Sequence, residues 1–252
     1  MKISIVTISF NQKKYLQQCI ESILSQTDCD LEYIVVDPGS TDGSRELIES
    51  YGASIVKVFE PDNGPADGLI KGFSRATGDI YGFINSDDYL LAGALGQVTN
   101  YFNTNGLSCF VTGLGYTEDD KGQLTKIYPR RLTPANMLHR AAILFQQATF
   151  FPAALYKQVG GFNSQNATCW DYELFLQLLL AGAQHEVLGQ DMAVFRLHPA
   201  SISGSGRLTN LYLQDLDKLF LEVYGRNRAL RDRAFTTLLR VKRELGRLMS
   251  WH

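Results

Sequence analysis

Apolar positions in the first 90 residues come in short dense runs, each followed by a polar turn and then by apolar positions at helical spacing. Ile3–Ile8 is such a run, rich in β-branched residues, and reads as a strand buried on both faces. Asn11 follows as a helix N-cap, and Tyr15, Leu16, Cys19, Ile20, Ile23 and Leu24 recur at the spacing of one helix face. Tyr33–Val36, Ile55–Phe59 and Ile80–Ile84 repeat the strand pattern, and Ser44–Tyr51 and Ala66–Ala76 repeat the helical one. Strands alternating with helices over short connections predict an α/β fold, a parallel sheet with helices on both faces. In such sheets ligands bind beyond the carboxyl ends of the strands. Three of the four strands end in acidic, Gly- or Asn-rich turns, at 37–43, 60–64 and 85–88.

Beyond Leu107 the pattern changes. Cys109–Thr117 and Gln123–Tyr128 read as strands of an antiparallel edge, Trp170–Ala181 as a helix, and Met192–Leu197 as a strand running into His198 and Pro199. Leu208–Tyr224 and Ala229–Leu248 read as two closing helices. No internal repeat or low-complexity linker interrupts them, so one domain with a helical C-terminal appendage is the simplest organisation.

At 252 residues, 45% of them hydrophobic and 20% charged, the chain is neither disordered nor collagen-like and can bury a core without disulfides. Its net charge of −2 gives no global field for nucleic acid. The four cysteines are too scattered for a zinc site and fit a reducing compartment. The apolar start is too short for a signal peptide and lacks a small-residue cleavage site, and no run of about 18 apolar residues could span a membrane. A cytoplasmic protein is expected. The dinucleotide fingerprint, the Walker A loop and the HExxH and GxSxG motifs are all missing from the sequence.

Several residues could carry chemistry, each with a plainer alternative. Asp87 and Asp88 follow an apolar strand, and two adjacent carboxylates repel unless a cation or donors compensate. A divalent metal bridging to phosphate oxygens would do so; alternatively Asp88 caps a helix starting near Leu90. Asp37 either meets a ligand or stabilises its own turn. Asp67 and Lys71 stand four apart on a helix, the spacing of a surface ion pair. Asp171 and Glu173 either complement a helix dipole or include a general base. His198 is a structural histidine or, beside a metal at Asp88, a ligand.

Taken in order, ISIVTISFN (3–11), EYIVVDPGSTDG (32–43), GDIYGFINSDDYL (78–90), FFPAALYKQVGGF (150–162), WDYELFL (170–176) and FRLH (195–198) resemble the family 2 glycosyltransferases. The resemblance implies the GT-A fold, a Rossmann-like, mostly parallel sheet flanked by helices. It implies a domain over 1–205, with a nucleotide-sugar-binding half at 1–100 and an acceptor-binding half at 101–205, followed by a helical extension at 206–252. It implies an inverting transfer from a nucleoside-diphosphate sugar to a hydroxyl of a glycan or lipid-linked acceptor in polysaccharide or glycolipid synthesis. Thr7, Phe10, Asp37, Gly39, Asp67, Lys71, Ser86 and Asp87 would contact the donor. Asp88 and His198 would ligate Mn²⁺ or Mg²⁺. Asp171 would be the base, with Trp170 and Glu173 beside the acceptor; the Trp170 indole either stacks on a sugar or joins the core. Three departures stand out. Pro38 replaces the second acid common after Asp37, leaving thymidine or guanosine donors open, Asn85 opens the metal motif, and Trp170 precedes the base in place of Glu. A non-catalytic nucleotide-sugar-binding module is the competing reading.

Charge is unevenly spread. Residues 226–252 carry eight basic side chains and two acidic ones, a net +6, so the other 225 residues carry −8. Leu230, Phe235, Leu238, Leu239, Val241, Leu245, Leu248, Met249 and Trp251 sit among those arginines. The segment lies outside the motifs. It reads either as an amphipathic helix on an anionic membrane surface or as a helix packed on its own domain or on a second subunit.

Overall fold

A computed structural model describes residues 1–199, 201 and 206–249, with side chains to Leu245. The chain alternates as the pattern predicts: β1 (Lys2–Ile8), α1 (Lys13–Leu24), β2 (Asp30–Val36), α2 (Ser44–Ser50), β3 (Val56–Val58), α3 (Pro65–Phe73) and β4 (Ile80–Asn85). Then come β5 (Tyr89–Leu90), α4 (Ala94–Asn105), β6 (Cys109–Glu118), β7 (Leu124–Ile127), α5 (Pro134–Leu138), β8 (Thr149–Pro152) and α6 (Ala153–Gln158). The remainder is α7 (Trp170–Leu180), β9 (Gln184–Arg196), α8 (Thr209–Tyr224) and α9 (Leu230–Met249).

One mixed sheet runs β3-β2-β1-β4-β8-β6-β9-β5, with β7 paired to β6. Its first four strands are parallel; β8 joins antiparallel to both β4 and β6, and β7 is antiparallel to β6. Alternation along β1 sends Ile3 and Ile5 to a core under α1 and α4, and Val6 to a second core under α3 and α7. Helix α3 lies close on β1 because residue 72 is glycine: a Cβ there would stand 2.4 Å from Val6 Cγ1. The second core holds an aromatic cluster in which Phe175 of α7 stacks on Phe110 at 5.6 Å, with Phe83 and Phe151 close by.

Two local expectations are corrected. Asn11 is not an N-cap: it takes φ +53, and its side chain accepts from the Thr41 N–H. Asp88 caps no helix, because Tyr89 and Leu90 form a strand on β9 and the next helix starts at Ala94. His185, inside the sheet, is the structural histidine. Its Nδ1 accepts from the Leu132 N–H at 2.8 Å, its Nε2 meets Thr112 Oγ1 at 2.8 Å, and burial pushes its pKa down to about 3.

The basic tail packs on the domain. The loop after α5 leaves carbonyls without helical partners, and the tail's guanidiniums take them. Arg228 donates to Leu138 O, Arg240 to Arg140 O and Arg243 to Ala141 O. Arg226 pairs with Asp232 at 2.6 Å, and His139 lies edge-on to Phe220 and Phe235. The segment is therefore not detached from the site: Arg243 and Glu244 line the main cleft. The opposite face of α9 exposes Leu230, Leu238, Val241 and Leu245. Among the described residues no helix is long and apolar enough to cross a membrane. Trp251 and the side chains of Leu248 and Met249 lie outside the described residues.

Candidate active site

The register of the parallel strands determines where the site lies. Ile8 pairs with both Val36 and Asn85, so β1, β2 and β4 end together. Their continuations, Ser9–Gln12, Pro38 and Asn85–Asp87, with 61–65 after β3, form one wall of a cleft of about 1350 Å³. The opposite wall includes 126–130, 142–147, 167–172 and 206–212. A single small ligand fills roughly 300–1,000 Å³, so the cleft has room for two reactants.

Asp37 is fully buried and organises the first turn. Its Oδ1 accepts from the N–H groups of Gly39 at 2.9 Å and Ser40 at 2.8 Å, and Arg45 reaches the same oxygen at 3.4 Å. The turn needs Gly39, whose φ is +139°. Asp37 Oδ2 and Ser9 Oγ are buried at these strand ends without a hydrogen-bond partner. Buried polar atoms are nearly always paired, so two orphans at the end of a sheet fit a polar ligand.

The two aspartates after β4 point to different places. Asp87 Oδ2 lies 3.0 Å from His198 Nε2, and the His198 ring packs on Tyr15 at 4.8 Å. Asp88 is turned inward. Its Oδ1 accepts from the Arg196 N–H at 2.9 Å and its Oδ2 from Gln147 Nε2 at 3.0 Å. Burial, with Asp87 beside it, pushes its carboxyl well above the usual range. The histidine expected beside Asp88 therefore meets Asp87 instead. Arg196 ties this corner together: its side chain donates to the Asp87 carbonyl, Glu118 and Gln18, and its guanidinium lies 4.6 Å over Tyr89. Asp87 and His198 bring one carboxylate and one imidazole together, and among the described residues no group of three or more His, Cys, Asp or Glu side chains gathers that could hold a metal ion.

Asp171 stands in the first turn of α7 and lines the cleft. The Tyr172 O–H donates to Met137 O at 2.6 Å, and the Thr168 hydroxyl donates to Asp215 at 2.6 Å, so both sides of this helix start are anchored. Burial pushes the Asp171 carboxyl up to about 6, against the lowering effect of the Tyr172 N–H. A base wants a pKa near its working pH. Trp170 takes the core alternative: it is buried against Phe83 and Phe162 at 5.5 and 5.6 Å, with an edge on the cleft.

Phe10, Ser86, Asp87, Trp170 and Asp171 line the cleft, whereas Thr7, Asp37, Gly39, Asp67, Lys71, Asp88, Glu173 and His198 do not. Thr7 is on the odd face of β1, so its hydroxyl accepts from Tyr33 inside the layer. Asp67 and Lys71 pair at 2.9 Å, and Asp67 accepts from the Asn63 N–H, holding the loop rather than lining the cleft. Glu173 is turned away, with Asn163 and Asn166 donating to its two oxygens. Sequence reasoning missed Ser9, Asp62, Arg196 and the basic lining residues Lys126, Arg130, Arg207 and Arg243. The turn around Asp62 gave a signal for that residue; the basic ones had none.

The mixed, mostly parallel sheet with helices on both faces, and carboxylates where its parallel strands end, is an α/β architecture of the GT-A type. Residues 4–157 match Glycosyl transferase family 2, and the chain belongs to that family. An uncharacterized glycosyltransferase of Nostoc sp. is 35% identical over 109 residues, covering 42% of this chain and 34% of that protein. Chondroitin synthase of Pasteurella multocida is 28% identical over 190 residues, 71% of this chain and 19% of the synthase. The chain thus spans about a third or less of these relatives' lengths. Among solved structures, S. aureus TarS 1-349 in complex with UDP-GlcNAc superposes with a TM-score of 0.73 at 16% identity, covering 96% of this chain and 71% of that one. The mannosyltransferase PcManGT from Pyrobaculum calidifontis, in complex with GDP-Man and Mn²⁺, gives 0.68 at 15%, covering 95% and 68%. At these identities the structures share the fold.

Proposed function

We propose that the chain is an inverting glycosyltransferase that moves a sugar from a nucleoside-diphosphate donor to a hydroxyl of a glycan or lipid-linked acceptor in polysaccharide or glycolipid synthesis. The observation that carries this is Asp171, a carboxylate with a raised proton affinity, in a cleft whose other wall holds Asp87, itself 3.0 Å from His198. Residues 1–100 form the donor half, and 101–205 with the tail form the acceptor half. Family membership and relatives such as chondroitin synthase support the substrate class.

In this reading the orphan oxygens of Ser9 and Asp37 receive the nucleotide end. Asp87 and His198 would hold a divalent cation, Mn²⁺ or Mg²⁺, while Asp88 braces the corner from behind. Such a cation would supply positive charge for the departing diphosphate. Asp171 takes the proton from the acceptor hydroxyl as its oxygen attacks the anomeric carbon. The bond from that carbon to the diphosphate breaks on the opposite face, so the configuration inverts. Held geometry and fixed charge supply most of the rate.

The outward apolar stripe of α9, flanked by exposed Arg231 and Lys242, supports peripheral attachment to an anionic membrane on its cytoplasmic side. Flotation with phosphatidylglycerol vesicles tests it: protein that stays at the bottom of the gradient ends that idea. The activity itself is tested by incubating the protein with UDP-, GDP- and dTDP-sugars and Mn²⁺. Slow donor hydrolysis, lost in Asp87→Ala, is expected; no hydrolysis or transfer from any donor would leave a binding module.

A further inference from the structure

Two polar atoms on the wall that carries Asp171 lack a protein partner among the described residues, and both open on the cleft. Asp171 commits one carboxylate oxygen: its Oδ1 accepts from the Tyr172 N–H at 2.8 Å. No described residue donates to its Oδ2, yet that atom is not sealed away from the cleft the residue lines. The second atom is the hydroxyl of Tyr212, near the start of α8, which lines the same cleft and is likewise neither hydrogen-bonded nor sealed. Helix α8 is pinned to the start of α7, because the Thr168 hydroxyl donates to Asp215 at 2.6 Å. Residues three apart share a helix face, so the contact that holds Asp215 on Thr168 also turns Tyr212 toward 168–172. The Tyr212 ring packs on the core that holds Cys169, Trp170 and Tyr172. The side chain is thus fixed along its ring and free at its polar tip.

We infer that Tyr212 is a specificity-determining residue whose phenol holds the acceptor hydroxyl next to the one that gives its proton to Asp171. This rests on the transferase reading above. A sugar presents hydroxyls on neighbouring ring carbons, and two of them together need two polar protein atoms side by side. The carboxylate oxygen accepts from the attacking hydroxyl, and the phenol, donor and acceptor at once, pairs with its neighbour. Tyr212 and Asp171 are not hydrogen-bonded to each other, which leaves the space between their tips for oxygens of a ligand. Burial and the nearby Asp171 carboxylate push the phenol's pKa above the usual range. It therefore keeps its proton at every pH at which Asp171 is free to take one. Arg140, the nearby cation, is engaged by the Leu213 carbonyl and Asp217 rather than by the phenol. A ring already immobilised by packing loses little further freedom on binding, so more of the contact appears as affinity. Tyr212 stands beyond residues 4–157, the part that matches the family. A contact made from there can differ between relatives that share the donor wall, which is what choice among acceptors requires.

The test is isothermal titration of the full chain with neutral octyl glycosides of several hexoses and N-acetylhexosamines, and with the singly deoxygenated forms of each. In the wild-type protein, removal of one particular hydroxyl should weaken binding about fivefold, the loss of one neutral hydrogen bond. Tyr212→Phe keeps the ring and its packing, so its melting temperature should hold. In that variant the parent glycoside should bind more weakly by the same factor, and removal of that hydroxyl should cost nothing further, the mark of a direct pair. When a donor sugar is transferred in the presence of Mn²⁺, the new linkage should form on the ring carbon adjacent to that hydroxyl. Three results overturn the inference: no glycoside binds the wild-type protein, the deoxygenation penalty is unchanged in Tyr212→Phe, or the linkage forms on a carbon that is not adjacent. Failure of every UDP-, GDP- and dTDP-sugar to be hydrolysed or transferred would instead sink the transferase reading, and the titrations would still decide whether Tyr212 reads a hydroxyl.

Discussion

The two walls of the cleft, the donor and the acceptor wall of the proposed function, are made in opposite ways. The donor wall is local: four strands within the first 85 residues end in register, and each continues directly into the site. The acceptor wall is assembled from distant pieces, a segment after β7, a loop before β8, the start of α7, the start of α8 and one turn of α9. The donor wall is acidic and ordered by backbone turns. The acceptor wall is held by long side chains reaching carbonyls. Backbone-built sites tolerate changes in side chains that do not face the ligand. Sites built from side chains fail one residue at a time.

That contrast can be pressed at four points. The largest effect belongs to Asp171 on the acceptor wall. Asp171→Asn should lower turnover by about 10³-fold, within the range for losing a general base, while nucleoside diphosphate affinity measured by titration stays within a factor of about two. Full turnover in that variant would remove the base from this wall altogether. Next comes the metal corner of the donor wall. Asp87→Ala or His198→Ala should weaken Mn²⁺-dependent donor binding by about 10²-fold, comparable to known losses at metal sites. If Asp88→Asn matched that loss in metal affinity without any fall in melting temperature, the inward carboxylate would be the ligand after all.

A smaller effect is the pH response. Because Asp171 is raised to about 6, it holds its proton below that pH and cannot act as a base. The rate should fall about tenfold per unit below pH 6 and level off above it; a profile flat to pH 5 would contradict the assignment. The sign for stability is opposite. The native state binds the Asp171 proton more tightly than the unfolded chain does, so this group's stabilisation is present at low pH and is lost as pH rises from about 4 to about 6. The smallest effect is at Thr7. Thr7→Val removes an acceptor from the Tyr33 hydroxyl inside the sheet. It should cost about 1 kcal/mol of stability in urea unfolding and leave donor affinity unchanged. A loss of donor affinity would extend the donor wall one residue deeper into β1.

Much of the donor wall was legible because it follows from chain-local rules. Apolar runs of one strand length, turns rich in Asp, Gly and Asn, and short connections locate the strand ends at 8, 36 and 85 within one or two residues. The misassigned residues lie where orientation decides. Thr7 and Ser9 are two apart and share a parity, yet Thr7 remains inside the strand while Ser9 has left it and reaches the cleft wall. Asp87 and Asp88 are adjacent and nearly equivalent as letters, but the β5–β9 pairing brings the Arg196 N–H to one and His198 to the other. Glu173 shares a helical turn with Asp171 and faces the asparagines of the preceding loop instead.

By itself the sequence determined the α/β class, the strand and helix order, the family resemblance and the acidic strand ends, because those depend on periodicity and turn chemistry within a few residues. Only the tertiary structure decided which aspartate meets the histidine, that the indole of Trp170 is core, and that a helix more than 200 residues from the first strand closes the cleft. Those outcomes depend on which donors and carbonyls are left unpaired once the sheet has formed. Asp88 is taken by Arg196 and Gln147, and the bare carbonyls after α5 capture the arginines of the tail.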